Sequence, residues 1–261
     1  MSDIVRAKGI ILSSMPIGDN DNRIVILTAE LGKITAIARG SRRQGNHLAG
    51  LVRPFLMAEF ELFPRRDGYQ LSGGTSIDYF EALTSDIDRL YYGFYFLEIA
   101  DYYGREGIGA KDSLNLLYFT FKALIDAKMP YQLIRRIYEF KSMVHAGEYP
   151  DVTGCCKCGD SEPASMYYSS WNQRFICDKC LKGEVRYADA YAVSKDLLYT
   201  LRYIAASRTD KLYSFVLSDA VMKELDSWVE KQAKLTMDKR FKSLEVLDGL
   251  KVLDKEVLTR E

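Results

Sequence analysis

The sequence predicts an α+β chain of more than one domain: a five-stranded OB-fold-like barrel, then an all-helical region carrying a four-cysteine module. Three observations lead there. The first eighty residues are short β-type runs separated by turns. From about Ile77 the apolar spacing changes from two to three-and-four. Two C-x2-C pairs then interrupt the helical part.

Each element has a local cause. Val5 to Ser14 alternates at its start and ends apolar, and Pro16 to Asn22 is rich in turn formers. Arg23 to Ala29 is β-branched, and Leu31-Gly32-Lys33 makes a tight connection into Ile34 to Ala38, which has period two. Phe55 to Phe63 alternates again, and Pro64 to Gly68 turns the chain into Tyr69 to Ser72. Small antiparallel barrels of this kind include the OB-fold, whose open face takes single strands. An SH3-like barrel leaves much the same trace.

Helix follows. Asp86 to Tyr103 is amphipathic, with Thr84 or Ser85 placed to cap it. Lys111 to Ala127 sets Leu114, Leu117, Tyr118, Phe121 and Leu124 on one side. Pro130 opens a helix from Tyr131 to Ala146, and Gly147 and Pro150 close it. Helical spacing returns over Ser194 to Ala206 and Phe215 to Lys231. The texture divides the chain into a barrel over 1–80, a first helical part over 81–150, a cysteine module over 151–190 and a second helical part over 191–261.

Composition narrows the function. In 261 residues, 48% hydrophobic and 28% charged side chains suffice for a packed core without disulfides. No apolar run approaches the roughly 20 residues that span a bilayer. The start Met1-Ser2-Asp3-Ile4-Val5-Arg6 lacks the features of a secretory signal, so a cytoplasmic protein with reduced thiols is expected. The 36 basic and 36 acidic residues cancel, which argues against indiscriminate polyanion binding and makes local charge decisive.

Cys155 with Cys158 and Cys177 with Cys180 are separated by 18 residues, the spacing of a structural zinc site. Two thiolates on a tight knuckle share one edge of a tetrahedron, and a hairpin between the pairs brings in the second edge. Four thiolates leave no position for water, so the expected zinc ion is structural. Cys156 is surplus, and His47 and His145 lie outside the cluster.

Positive charge concentrates on the barrel. Lys33, Arg39, Arg42, Arg43, Arg53, Arg65 and Arg66 face only Glu59 and Glu61 in the same window. Arg39 to Gly45 joins forked guanidinium groups to a Gly/Ser loop, a combination suited to phosphate on a flexible strand. Lys231, Lys234, Lys239, Arg240 and Lys242 form a second basic run, either an extension of that track or the polar face of a terminal helix. Tyr91, Tyr92, Phe94, Tyr95 and Phe96 read as core of a helical bundle, whereas Tyr69 and Phe60 are the better base-stacking candidates. Arg135 and Arg136, beside apolar Leu133, Ile134 and Ile137, either clamp a partner's terminal carboxylate or pair internally with Glu139 or another acid.

Taken in order, these segments resemble the bacterial RecO family. The resemblance lies in Lys8 to Leu12, Leu27 to Arg43, Leu48 to Phe55, the cysteine module, and Lys242 to Leu247. It departs from the family's usual pattern between the knuckles, where Ser169 to Phe175 stands in place of a glycine pair. The resemblance implies a non-catalytic, nucleoid-associated mediator of recombinational repair. Such a protein binds single- and double-stranded DNA, anneals complementary strands and assists RecA on strands coated by single-strand-binding protein. It implies RecR and in some cases RecF as partners, and contact between Arg135 and the tail of single-strand-binding protein. Two rival readings are a zinc-dependent nucleic-acid hydrolase and a zinc-module adaptor without DNA binding. No H-E-x-x-H, G-x-S-x-G or phosphate-loop pattern supports the first.

Overall fold

The computed structural model describes residues 4–249. Five strands, β1 (Val5–Ile17), β2 (Asp21–Thr28), β3 (Gly32–Ala38), β4 (Met57–Arg65) and β5 (Gly68–Asp78), close into a barrel in the order β1-β2-β3-β5-β4. All ladders are antiparallel except β3 with β5, where Ala36 pairs with Tyr69 and Ile37 with Gln70. This is the OB arrangement. A bulge between Ile11 and Ser13 bends β1, so its first half pairs with β4 and its second half with β2.

Alternation decides which side chains fill the barrel. On β3, Ile34, Ala36 and Ala38 point inward, and Lys33, Thr35 and Ile37 point out. A 3₁₀ turn over Ala49–Val52 adds Leu51 and Val52 to this core. Two strands run beyond the segments read from the sequence. β1 continues to Ile17 through Pro16, and β5 continues to Asp78 because Gly73 and Gly74 remain in register with Glu61 and Phe60.

Helix α1 (Ile87–Tyr103) is capped by Asp86, whose carboxylate accepts the Arg89 N–H at 2.8 Å. Thr84 and Ser85, the expected caps, instead donate their hydroxyls to the carbonyls of Glu81 and Ala82. The aromatic run of α1 is core: Tyr92, Tyr95 and Phe96 are buried, and Tyr95 meets Phe241 edge to face. After α1, residues 104–110 run along the β2–β3 turn and lead into α2 (Lys111–Asp126).

Gly32 is where this connection comes closest. Its φ is +73°, and an added Cβ would stand 2.1 Å from the Arg105 carbonyl oxygen and 2.4 Å from that of Ile108. Gly32→Ala should therefore lower stability by at least about 1–3 kcal/mol from backbone strain alone. A lower denaturant midpoint with an unchanged slope would show it.

Residues Gln132–Asp238 form one compact unit, and the rest of the described chain forms the other. This cut differs from the textural one, for α1 and α2 pack with the barrel. The second unit holds nearly all of α3 (Tyr131–Ala146), the sheet β7-β6-β8 (Arg174–Cys177, Met166–Ser169, Tyr191–Val193), the short α4 (Asp178–Leu181), α5 (Lys195–Ala206) and α6 (Asp219–Thr236). Ser194 and Ser218 cap the last two, so α6 begins later than its apolar spacing implied. Trp228 on α6 is the centre of its core, packed on Phe140, Tyr168 and Phe175. Buried Lys141 donates to the carbonyls of Ile204, Ala205 and Ser207, placing a cation at the negative end of α5. A last helix, α7, covers 242–249 and belongs to the first unit.

Candidate metal centre and nucleic-acid interface

The β6–β7 hairpin is the fold-back that the cysteine spacing requires. It pairs Met166 with Cys177 and delivers Cys177 at the end of β7 and Cys180 on α4. The other knuckle is fastened to it by the Cys156 N–H, which donates to the Phe175 carbonyl at 2.8 Å. The sulfurs of Cys155, Cys158, Cys177 and Cys180 all lie within 4.8 Å of one another. Cys158 Sγ and Cys177 Sγ are 3.7 Å apart, far too long for a disulfide. A metal–sulfur bond of about 2.3 Å sets a tetrahedral edge of about 3.8 Å, so the cluster has the dimensions of a four-thiolate metal site.

Local polarity favours thiolate at Cys155. Burial pushes the Cys155 thiol up, but the N–H groups of Cys158, Cys177 and Lys157 overcome it and bring it down to about 6. Burial raises the Cys177 thiol, and hydrogen bonding to Cys177 and Cys158 pushes Cys180 up to about 12. Cys156 stands outside the cluster, exposed, with Sγ 3.5 Å from the Tyr187 hydroxyl.

In the first unit the basic residues gather on one outer surface. Arg23 pairs across the ladder with Ile37, flanked by outward Thr35 on β3 and by exposed Arg39 just past the strand's end. On the other side of Ile37 is Gln70, which accepts a hydrogen bond from Arg65 at 2.7 Å. Arg66 at the β4–β5 turn shares a groove of about 480 Å³ with Arg23 and Lys33. The Arg39–Gly45 loop is held beyond the end of β3: the Gly40 N–H donates to Asp21, and Ser41 and Asn22 hydrogen-bond in the interior. That leaves Arg42 and Arg43 exposed.

Among the described residues Arg23, Arg39, Arg42, Arg43, Arg65 and Arg66 make no ion pair. Asp67, Asp101 and Glu106 line the same groove as Arg23, Lys33 and Arg66, so the surplus of positive charge is greatest at Arg39 and the Arg42–Arg43 loop. Arg23 was not singled out from the sequence, though period two in Arg23-Ile24-Val25-Ile26 already places it opposite the buried isoleucines.

Other expected residues fall elsewhere. Arg53 is exposed after the Ala49–Val52 turn, and no hydrogen bond ties it to this surface. Phe60 is wholly buried and Tyr69 packs half-buried against the same core, so neither presents a ring outward. The stacking expectation is thus corrected: both side chains alternate to the inside of the barrel. The second basic run divides. Lys231 and Lys234 lie on α6 and are engaged with the Tyr191 ring and with Glu230. Lys239, Arg240 and Lys242 belong to the barrel's unit and are exposed there, Lys239 pairing with Asp101 on α1.

Arg135 is buried, and its Nε donates to Glu139 Oε1 at 2.8 Å. The intramolecular pair is therefore the arrangement the structure holds. Arg136 takes the other oxygen of Glu139 at 2.8 Å and reaches Asp226 on α6 at 2.6 Å.

The comparisons agree with this layout. A family model described as Recombination protein O N terminal matches residues 1–80, and one described as Recombination protein O C terminal matches 84–245. The chain is 29% identical over 252 residues to a DNA repair protein RecO of Acetivibrio thermocellus, covering 96% of this chain and 98% of that one. It is 27% identical over 246 residues to a DNA repair protein RecO of Alkaliphilus metalliredigens, covering 93% and 98%.

Proposed function

The chain belongs to the RecO family of DNA repair proteins, and from that premise we propose that its barrel binds single- and double-stranded DNA and anneals complementary strands. The observation that carries this is the set of exposed guanidinium groups without internal ion pairs on the outer surface of β2 and β3 and the adjoining loop, Arg42 also donating to the Gly18 carbonyl at 3.3 Å. Such groups neutralise phosphates of two strands at once, lower their repulsion and let bases pair, with no covalent step. Lys33, Arg39, Arg42, Arg43, Arg65, Arg66, Lys239, Arg240 and Lys242 are the proposed contacts, with Arg53 an outlying one.

The four-cysteine cluster can hold a metal ion, and we assign it to structural zinc on its donor set. Saturated thiolate coordination gives a hydrolytic metal no open position, which disfavours the hydrolase reading. A cytoplasmic, nucleoid-associated setting, RecR, RecF, the single-strand-binding protein tail and assistance to RecA belong to the same proposal through the family. Tail contact through Arg135 requires its guanidinium to leave Glu139.

The test is a salt titration of oligonucleotide binding with Arg39→Ala, Arg42→Ala and Arg43→Ala combined. Each lost phosphate contact reduces the log–log salt slope for single strands by about 0.7, so the slope should fall by about 2. Unchanged affinity and slope would remove the loop from the interface. Failure to bind any oligonucleotide at low salt would favour the adaptor reading.

A further inference from the structure

One carboxylate on the basic surface sits where its own helix disfavours it. Asp101 lies in the last turn of α1, whose carbonyl dipoles repel negative charge. Its side chain is 40% exposed, and each oxygen holds a different lysine. Oδ1 is 3.3 Å from Lys33 Nζ on the barrel, and Oδ2 is 3.3 Å from Lys239 Nζ in the C-terminal basic run. Lys33 also donates to the Asp101 main-chain oxygen at 2.6 Å. Asp101 lines, with Asp67 and Glu106, the groove that Arg23, Lys33 and Arg66 also line, and of the three carboxylates only Asp101 makes an ion pair among the described residues.

Two anionic oxygens shared between two ammonium groups are what a backbone phosphate would offer the same pair. We propose that Asp101 is an internal surrogate for a DNA phosphate, which a strand must displace before Lys33 and Lys239 can bind it. This rests on the DNA reading of the barrel given above. The exchange replaces one anion by another, so these two lysines add little to affinity while Asp101 keeps its charge. The unpaired arginines make first contact, and the lysines engage only when a strand lies along the groove. Asp101 thereby sets how tightly the surface holds DNA, a brake suited to a protein that must release annealed product.

The experiment measures binding of a fluorescently labelled single-stranded oligonucleotide by anisotropy across a salt series. Asp101→Asn keeps the shape and removes the charge. It should tighten binding several-fold at low salt and steepen the log–log slope by up to about 1.4, the value for two freed contacts. Glu81→Gln, on the exposed turn before α1, adds the same net charge to the same unit and is the control. In the Asp101→Asn background, Lys33→Met with Lys239→Met should abolish the gain. Should Asp101→Asn fail to fold by thermal melting, Asp101→Ser carries the same expectation.

Affinity equal to the unaltered protein, a gain no larger than that of Glu81→Gln, or a gain that survives loss of both lysines would each overturn the proposal. If the unaltered chain binds no oligonucleotide at low salt, the barrel reading fails and this inference falls with it. If it binds, and the Arg39, Arg42 and Arg43 variant weakens it, only the role of Asp101 is at stake.

Discussion

Glu139→Gln should destabilise the 132–238 unit by about 3–5 kcal/mol, the cost of removing one partner from a buried ion network. Glu139 is fully buried, and its two oxygens answer two arginines on the same helix, Arg135 at 2.8 Å and Arg136 at 2.8 Å. Neutralising it leaves two buried guanidinium groups sharing one amide oxygen. Arg135→Met should cost less, because Glu139 keeps Arg136, and Arg136 keeps Asp226 on α6.

The chain's two tryptophans, Trp171 and Trp228, both lie in this unit. Trp228 is buried and Trp171 is 77% exposed, so a red shift of the buried component follows unfolding. Equal urea midpoints for Glu139→Gln and the unaltered chain would mean that the network contributes nothing. Acid acts on the same link between α3 and α6. Burial raises the Asp226 carboxyl, but hydrogen bonds from Gln132 and Arg136 outweigh it and hold the group below the usual carboxylate range. Its stabilisation is present above the unfolded value near pH 4 and is lost as pH falls through the lower folded value.

Removing metal should have the larger effect. The buried core cluster at the cysteines is Cys155, Ile176, Cys177 and Tyr187, in which half the members are themselves candidate ligands. The hairpin is also anchored by Tyr168 and Phe175 on Trp228, so the two knuckles are the part that such a core cannot hold unaided, and structural zinc contributes about 10–16 kcal/mol of apparent binding free energy at neutral pH. Chelation should therefore release the two cysteine knuckles and destabilise the 132–238 unit, while the barrel, built on its own core, keeps its thermal transition.

Thiol titration gives a second readout. Only Cys156 of the five cysteines lies outside the cluster, so one thiol should react quickly before chelation and all five after it. Five equally fast thiols in protein purified with its metal content intact would rule out the closed site.

The five barrel strands were within reach of the sequence because they advertise themselves locally, whereas the OB order, set by the β3–β5 closure, came only with the structure. Ile34, Ala36 and Ala38 alternate with Lys33, Thr35 and Ile37, and a residue's immediate neighbours suffice to show it. The cysteine cluster was legible for a different reason: tetrahedral coordination demands paired ligands and a fold-back, so spacing alone implies geometry. Phe60 and Tyr69 were misjudged because alternation marks two faces without saying which is inside; only barrel closure settles that. Thr84 and Ser85 lost the cap to Asp86 because capping depends on where the backbone leaves the extended region, and three successive polar residues offer equal candidates.

By itself the sequence determined what short-range chemistry can determine: strand and helix texture, the four clustered cysteines, an arginine-rich loop and the Arg135–Glu139 spacing. Which charges stay available was decided only by tertiary structure. Lys33 and Lys239 meet at Asp101 across 68 and 138 positions of chain, and Arg23 joins Arg66 only because β3 and β5 run parallel at the closure of the barrel. Electrostatic pairing depends on separation in space, and residues far apart in sequence acquire that separation only when the chain has folded.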